Sequence, residues 1–225
     1  LSKKISDSIK SGCINFSSDV ENAIKLSDIV FIAVGTPMKD DGDCDLDNIY
    51  KVAYDIGKYI NQNKLIVVKS TVPIGTTFKI KEYINDEIKK RNKNLSFSIA
   101  HNPEFLKQGK AVNDFMSPDR IIVGLEDNSL QSVFKELYKP FSVNHDKLIF
   151  MDILSSELTK YAANAMLSTK ISFINEMSII ADVYGADINK IRIGIGSDSR
   201  IGYNYIYPSI GYGGSCLSKD IKSLI

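Results

Sequence analysis

A chain of 225 residues is long enough to bury a core without disulfides, as one large domain or two small ones. Its 24% charged and 44% hydrophobic residues are the balance of a globular protein, and exclude a disordered or membrane-embedded chain. With 28 Lys and Arg against 27 Asp and Glu, the net charge of +1 provides no field for nucleic acid or an anionic membrane, so neither is an expected partner.

The three cysteines, Cys13, Cys44 and Cys216, are widely spaced and outside any CxxC pair. Neither a disulfide framework nor a metal site is expected, and a reducing cytoplasm is the expected location. No apolar run approaches the length of a bilayer span, and Leu1-Ser2-Lys3-Lys4 lacks the apolar stretch of a signal peptide. The first residue is not Met, and the chain stops inside a promising helix start at Lys222-Ser223-Leu224-Ile225, so both ends are expected to be cuts.

In chain order, Ile5 and Ile9, then Val20, Ala23 and Ile24, predict two short helices within residues 1–26, the first closed by Gly12 and the second capped by Asp19. The apolar runs at 29–34 and 65–68 are short, β-branched and apolar on both faces, as buried parallel strands are. Between them Tyr50, Val52, Ala53, Ile56, Tyr59 and Ile60 trace one helical face, which makes a right-handed strand–helix–strand unit. A helix at 77–91, strands at 97–100, 120–124 and 148–150, and a helix at 130–138 continue the alternation. The fold class expected is α/β: an incomplete doubly wound parallel sheet over residues 1–152, followed by an all-helical domain over 153–225. In that helical domain a single long helix runs from Glu157 to about Tyr184, capped by Ser155 or Ser156 after a linker at 151–154, and a shorter one spans 187–193.

Ligands of doubly wound sheets sit beyond the carboxyl ends of the strands. Three such ends carry polar, turn-forming motifs: Gly35-Thr36-Pro37, Ser70-Thr71-Val72-Pro73 and His101-Asn102-Pro103-Glu104-Phe105-Leu106. Any one of them is also plain turn chemistry. No Gly-x-Gly-x-x-Gly follows an early strand, and Gly194-Ile195-Gly196, which follows a helix, reads as a loop. Cys216 follows Gly211, Gly213 and Gly214, and a helix starts beside it at Ser218-Lys219-Asp220. Glycines let backbone approach a ligand, and a helix N-terminus with Lys219 nearby lowers a thiol pKa. A single Cys is otherwise commonly an inert buried hydrophobe. Lys160 and Asn164 share a helical face in an apolar neighbourhood, so Asn164 is expected to be buried and partnered. His101 and His145 are not spaced as metal ligands and read as structural or surface groups.

Six strings in order carry a family resemblance: Phe31–Pro37, Lys69–Thr76, Asn102–Leu106, Pro118–Gly124, Glu157–Asn164 and Gly211–Asp220. Together they resemble the UDP-glucose/GDP-mannose dehydrogenases over essentially the whole chain, and Arg200-Ile201-Gly202 resembles the UDP-glucose branch. The resemblance implies NAD as cofactor, UDP-glucose as substrate, and oxidation of its C6 alcohol to a carboxylate in two steps. It implies that Cys216 is the nucleophile, that Lys160 stabilises the developing oxyanion and assists proton transfer, and that Asn164 hydrogen-bonds the same oxygen. Asp220 would orient water or take up protons, and Glu104 with Thr71 would handle the hydrolytic water. Thr36, Thr71 and Lys219 resemble cofactor contacts. Glu104, Phe105, Leu106, Lys107, Lys160, Asn164, Tyr205 and Gly213 resemble contacts to the nucleotide sugar. Gln108 stands where the family usually has a Glu beside the nicotinamide, and Ser218 replaces a frequent Pro.

The family's glycine-rich turn lies upstream of Leu1 and its second nucleotide-binding domain downstream of Ile225, so this chain alone is expected to be inactive. A homodimer through the helix at 157–184 is also implied. Two rivals remain open: a dehydrogenase of GDP-mannose or of a UDP-N-acetylhexosamine, and a non-catalytic dimerisation or binding module.

Overall fold

The computed structural model describes residues 1–107, 109–142 and 146–224; the side chains of Ser215 and Cys216, and the residues Gln108 and His145 named above, lie outside the described set. Two compact units are formed, one from 1–36 and 46–157, the other from 37–45 and 158–225.

The first unit holds α1 (Ser2–Lys10), α2 (Val20–Leu26), β1 (Ile29–Ile32), α3 (Asp47–Tyr59), β2 (Lys64–Val68), α4 (Thr76–Lys90), β3 (Phe97–His101), α5 (Ala111–Met116), β4 (Ile121–Leu125), α6 (Gln131–Tyr138) and β5 (Leu148–Met151). Gly12 follows α1 with φ 73°, and the Asp19 carboxylate accepts the Asn22 N–H at 3.0 Å as the cap of α2, both as the sequence predicts. The short helix α5 was not expected, because its six residues are fewer than two turns of periodicity.

The sheet order is β1-β2-β3-β4-β5, and β1, β2 and β3 are parallel. The pairing of β3 with β4 is antiparallel, through Ala100↔Leu125 and His101↔Gly124, after which β4 and β5 are again parallel. The sheet is therefore mostly parallel, not wholly so as the strand runs suggest. The reversal has a geometric consequence. Right-handed crossovers between strands that advance in one lateral direction put their helices on one face; once the strand direction flips, the same handedness puts the next helix on the other. Accordingly Ile66 and Val68 of β2 pack with Ile24, Ile56, Ile80 and Ile84 of α2, α3 and α4, while Leu65 and Val67 pack with Val123 and with Phe134 and Tyr138 of α6. All five residues of β2 are buried, which explains why the run is continuously apolar. Lys64 at its start is buried too, and donates to the carbonyls of Lys25 (3.2 Å) and Ser27 at the end of α2.

The second unit is built on α7 (Ile153–Tyr184), whose first turns belong to the first unit, with α8 (Ile188–Gly196) and α9 (Ser215–Lys222). The anticipated linker at 151–154 and the Ser155 or Ser156 cap are both corrected. β5 ends at Met151 and α7 begins at Ile153, with the Asp152 carboxylate accepting the Ser155 N–H at 2.8 Å. That bond, with its side-chain counterpart from Ser155, holds the Asp152 carboxyl below its usual range. Gly194-Ile195-Gly196 is likewise not a loop but the last turn of α8, and Gly196 packs directly under the ring of Tyr203.

Helices α3 and α4 approach closely at Gly57, where a methyl group would stand 2.5 Å from Glu87 Cβ and 2.8 Å from the Ile84 carbonyl. Gly57→Ala should therefore destabilise the protein by about 1–3 kcal/mol through overpacking. Gly194→Ala, in open space within α8, should be neutral or stabilising by up to ~1 kcal/mol. Urea denaturation of the two variants checks the contrast.

Candidate active site

Polar loops follow the parallel strands β1, β2 and β3 of the first unit. The Ser70 hydroxyl donates to the Val34 carbonyl at 2.7 Å, and the Thr36 hydroxyl donates to the Thr71 carbonyl at 2.9 Å. The two threonines singled out by resemblance, Thr36 and Thr71, are thus brought together by direct contact. Their loops meet because Ile32 and Val68 are register partners at the ends of β1 and β2.

After β3, Asn102 is fully buried. Its side-chain amide donates to the Ile122 carbonyl at 2.7 Å and accepts the Tyr138 hydroxyl, so it ties β3 to β4 and α6. Burial raises the Tyr138 phenol to about 12, which keeps it a donor. Because β4 runs antiparallel to β3, the segment entering β4 is carried beyond the end of β3, and 117–121 faces 103–107. Together they line a cleft, open to solvent, that contains Glu104, Phe105, Leu106 and Lys107. The Glu104 carboxylate accepts the Leu106 N–H at 2.6 Å, Asp114 accepts the Lys107 N–H at 2.8 Å, and the Arg120 guanidinium lies 4.1 Å from the centre of the Phe105 ring. Thr36 and Thr71 do not line this cleft.

Two buried groups of the first unit tie its elements to the start of α7. His101 is 1% exposed, with Nδ1 2.8 Å from the Ser156 hydroxyl; burial, aided by the charge of Lys69, lowers its pKa to about 3. Glu157, with no exposure, accepts the Gly75 N–H at 2.6 Å, the Thr77 N–H at 2.9 Å and the Thr77 hydroxyl at 2.6 Å. Burial raises its pKa, and these hydrogen bonds oppose the rise.

In the second unit Lys160, Asn164, Lys219 and Asp220 are all buried. The Asn164 amide donates to Asp220 Oδ2 at 2.5 Å, which meets the expectation that this helix-interior Asn needs a partner. Lys219 Nζ lies 2.8 Å from Asp220 Oδ1, at ion-pair distance but without the alignment of a hydrogen bond. Cys216 falls in the first turn of α9, after Gly214 at φ 92°. Its side chain is outside the described set.

The segment before α9 is pinned at several points. Ile206 is buried, the Arg192 guanidinium lies 3.6 Å from the Tyr207 ring centre, Lys170 donates to the Ile201 carbonyl at 3.0 Å, and the Asn175 side chain accepts the Ser209 N–H at 2.8 Å. Between these anchors Tyr205 adopts φ 64°, unusual for a bulky residue and a feature that clusters at functional loops. Gly213 has open space where a side chain would stand.

Sequence reasoning missed Asn102 as a hub, and Arg120, Asp114 and Glu157. Pro118-Asp119-Arg120 stands out as a motif, but its meeting with Phe105 follows from the strand reversal, which no local pattern announces.

A mostly parallel sheet with polar strand ends, joined to a helical unit with buried Lys, Asn and Asp, defines a Rossmann-like α/β protein. Residues 1–142 match the NAD binding domain of the UDP-glucose/GDP-mannose dehydrogenase family and 154–225 match its central domain. The chain belongs to that family. It is 42% identical over 225 residues to a UDP-glucose 6-dehydrogenase of Pseudomonas aeruginosa, covering 100% of this chain and 50% of that protein. The solved UDP-glucose dehydrogenase of Pyrobaculum islandicum superposes with a TM-score of 0.89 at 36% identity, over 99% of this chain and 51% of that one. A solved GDP-mannose dehydrogenase of Pseudomonas aeruginosa gives 0.77 at 31% identity, over 96% and 50%. The chain spans about half the length of the relatives it matches.

The buried His101 gives a pH test of the strand-end packing. Its imidazole stays neutral in the folded protein down to about pH 3 but protonates near 6.5 when unfolded, so its contribution is present above 6.5 and is lost as pH falls toward 3. The stability difference between wild type and His101→Gln should therefore shrink by about 2–3 kcal/mol from pH 7 to pH 4.5. Urea denaturation across that range measures it.

Proposed function

We propose that the protein is an NAD-dependent dehydrogenase that oxidises UDP-glucose to UDP-glucuronate. The reading is carried by one observation: the Asn164 amide is bonded to the Asp220 carboxylate at 2.5 Å, beside buried Lys160 and Lys219, with Cys216 opening the same helix as Asp220.

The residues at the ends of β1 and β2 suit a dinucleotide, since Gly35 leaves open space and Thr36 is locked against Thr71. Thr36, Thr71, Gln108 and Lys219 would hold NAD, which when bound accepts hydride from the sugar carbon. The rest of the chemistry falls to the chain. Once the C6 hydroxyl has given up its proton, a transfer that Lys160 assists, and its carbon a first hydride, the Cys216 thiolate attacks the resulting aldehyde and forms a C–S bond, and the carbonyl oxygen gains the charge that the Lys160 ammonium and the Asn164 amide stabilise. Loss of hydride from that carbon leaves a thioester. Water then adds to it, expels the thiolate and releases the carboxylate, with Asp220, Glu104 and Thr71 orienting the water and taking its proton. Enrichment of the thiolate is supported by the place of Cys216 in the first turn of α9. Glu104, Phe105, Leu106 and Lys107, with Lys160, Asn164, Tyr205 and Gly213, hold the nucleotide sugar.

The protein acts as a homodimer through the helix at 157–184. Met166, Phe173, Ile179, Ile180, Val183 and Tyr184 are exposed apolar residues on this helix, whereas Tyr161 and Ile174 are buried within the chain. A reducing cytoplasm suits its free Cys13 and Cys44.

In an assay of the intact protein, UDP-glucose and NAD⁺ should yield about two NADH per sugar oxidised, and Cys216→Ser should lower the rate at least about a thousandfold. Faster turnover of GDP-mannose or a UDP-N-acetylhexosamine in competition would move the substrate assignment. Full activity in Cys216→Ser would overturn the mechanism.

A further inference from the structure

Glu157 is fully buried, yet none of the steps above uses it. Helix α4 explains its position. The N-cap of α4 is Gly75, at φ 85°, which has no side chain to accept the N–H groups that a helix start leaves unpaired. The acceptor comes instead from α7, eighty positions on in the chain: one Glu157 oxygen takes the Gly75 N–H, the other takes both the N–H and the hydroxyl of Thr77. A carboxylate at this place is also favoured by the helix dipole. The loop between β2 and α4 is consequently held along its length. Ser70 is bonded to Val34 at its start, the Thr71 carbonyl receives the Thr36 hydroxyl, and Glu157 closes the far end. Lys160 follows Glu157 on the next turn of the same helix.

We propose that Glu157 is a positioning residue: it fixes the β2–α4 loop so that Thr71 is presented in one conformation for the reaction. The functional half of this inference rests on the dehydrogenase reading above. The geometric half rests only on the three hydrogen bonds.

Three variants of the intact protein test it. Glu157→Gln puts an amide nitrogen, which cannot accept, against one of the backbone donors. Thr77→Val is nearly isosteric and removes one donor only, so it reports even where the first variant does not fold. Asp19→Ala deletes the remote cap of α2 and serves as the control. In Glu157→Gln, amide exchange across 70–78 should quicken about tenfold with 49–57 of α3 unchanged, and kcat should fall about tenfold with KM for UDP-glucose altered less than about twofold. Thr77→Val should shift both readouts in the same direction and less, and Asp19→Ala neither. Unchanged exchange across 70–78 overturns the positioning, as does faster exchange with kcat no lower than in the control. Should wild type oxidise no nucleotide sugar, the dehydrogenase reading falls, and exchange alone decides whether Glu157 holds the loop.

Discussion

The side-chain amide of Asn102 is the contact on which the arrangement of the first unit turns. It is buried with donor and acceptor both engaged, giving to the Ile122 carbonyl and receiving from the Tyr138 hydroxyl. A buried amide left unpaired costs about 1–3 kcal/mol, so these bonds favour the observed placement of β4 and α6 at the end of β3. The antiparallel entry of β4 sets the Ile122 carbonyl beside the residue after β3, where the Asn102 amide meets it. That entry carries Arg120 onto Phe105 and encloses the cleft around Glu104–Lys107.

Along α7 the buried positions are unusually polar: Ser156, Glu157, Lys160, Asn164 and Ser168. Long helices normally bury an apolar stripe, and burying charge is costly unless it is paired. Here the partners are specific. Ser156 meets His101, Glu157 caps α4, and Asn164 binds Asp220. Ser156, Glu157 and Asn164 are thus each tied to a different element, which fixes their rotamers within the fold. The strain at Tyr205, overdetermined by anchors on either side, belongs to the same pattern.

Much of this was legible in the residues. Buried strands were readable because β2 is covered on both faces, and α1 and α2 because Gly12 and Asp19 mark their ends. Asn164 could be flagged because an amide within an apolar helical segment has to find a partner. What stayed hidden depends on non-local geometry. The reversal between β3 and β4 has no sequence period, since a parallel and an antiparallel buried strand look alike in β4, where every residue is buried. Glu157 reads as an ordinary acid at the start of the helix expected from Glu157 to Tyr184, until α4 is seen to lack its own cap. Gly194 and Gly196 look like a turn because glycine is rare in helices, yet Gly196 is required by the Tyr203 ring lying against it.

The central claim is that Cys216 is an activated nucleophile, and its ionisation tests this most directly. Cys13 is exposed and Cys44 buried, so alkylation by iodoacetamide followed by peptide mapping separates the three thiols. The account predicts that Cys216 is carboxymethylated with a midpoint at least about one pH unit below the ~8.5 of a free thiol, and that Lys219→Met moves the midpoint upward. A Cys216 that is inert, or that titrates as a free thiol in both proteins, would contradict it.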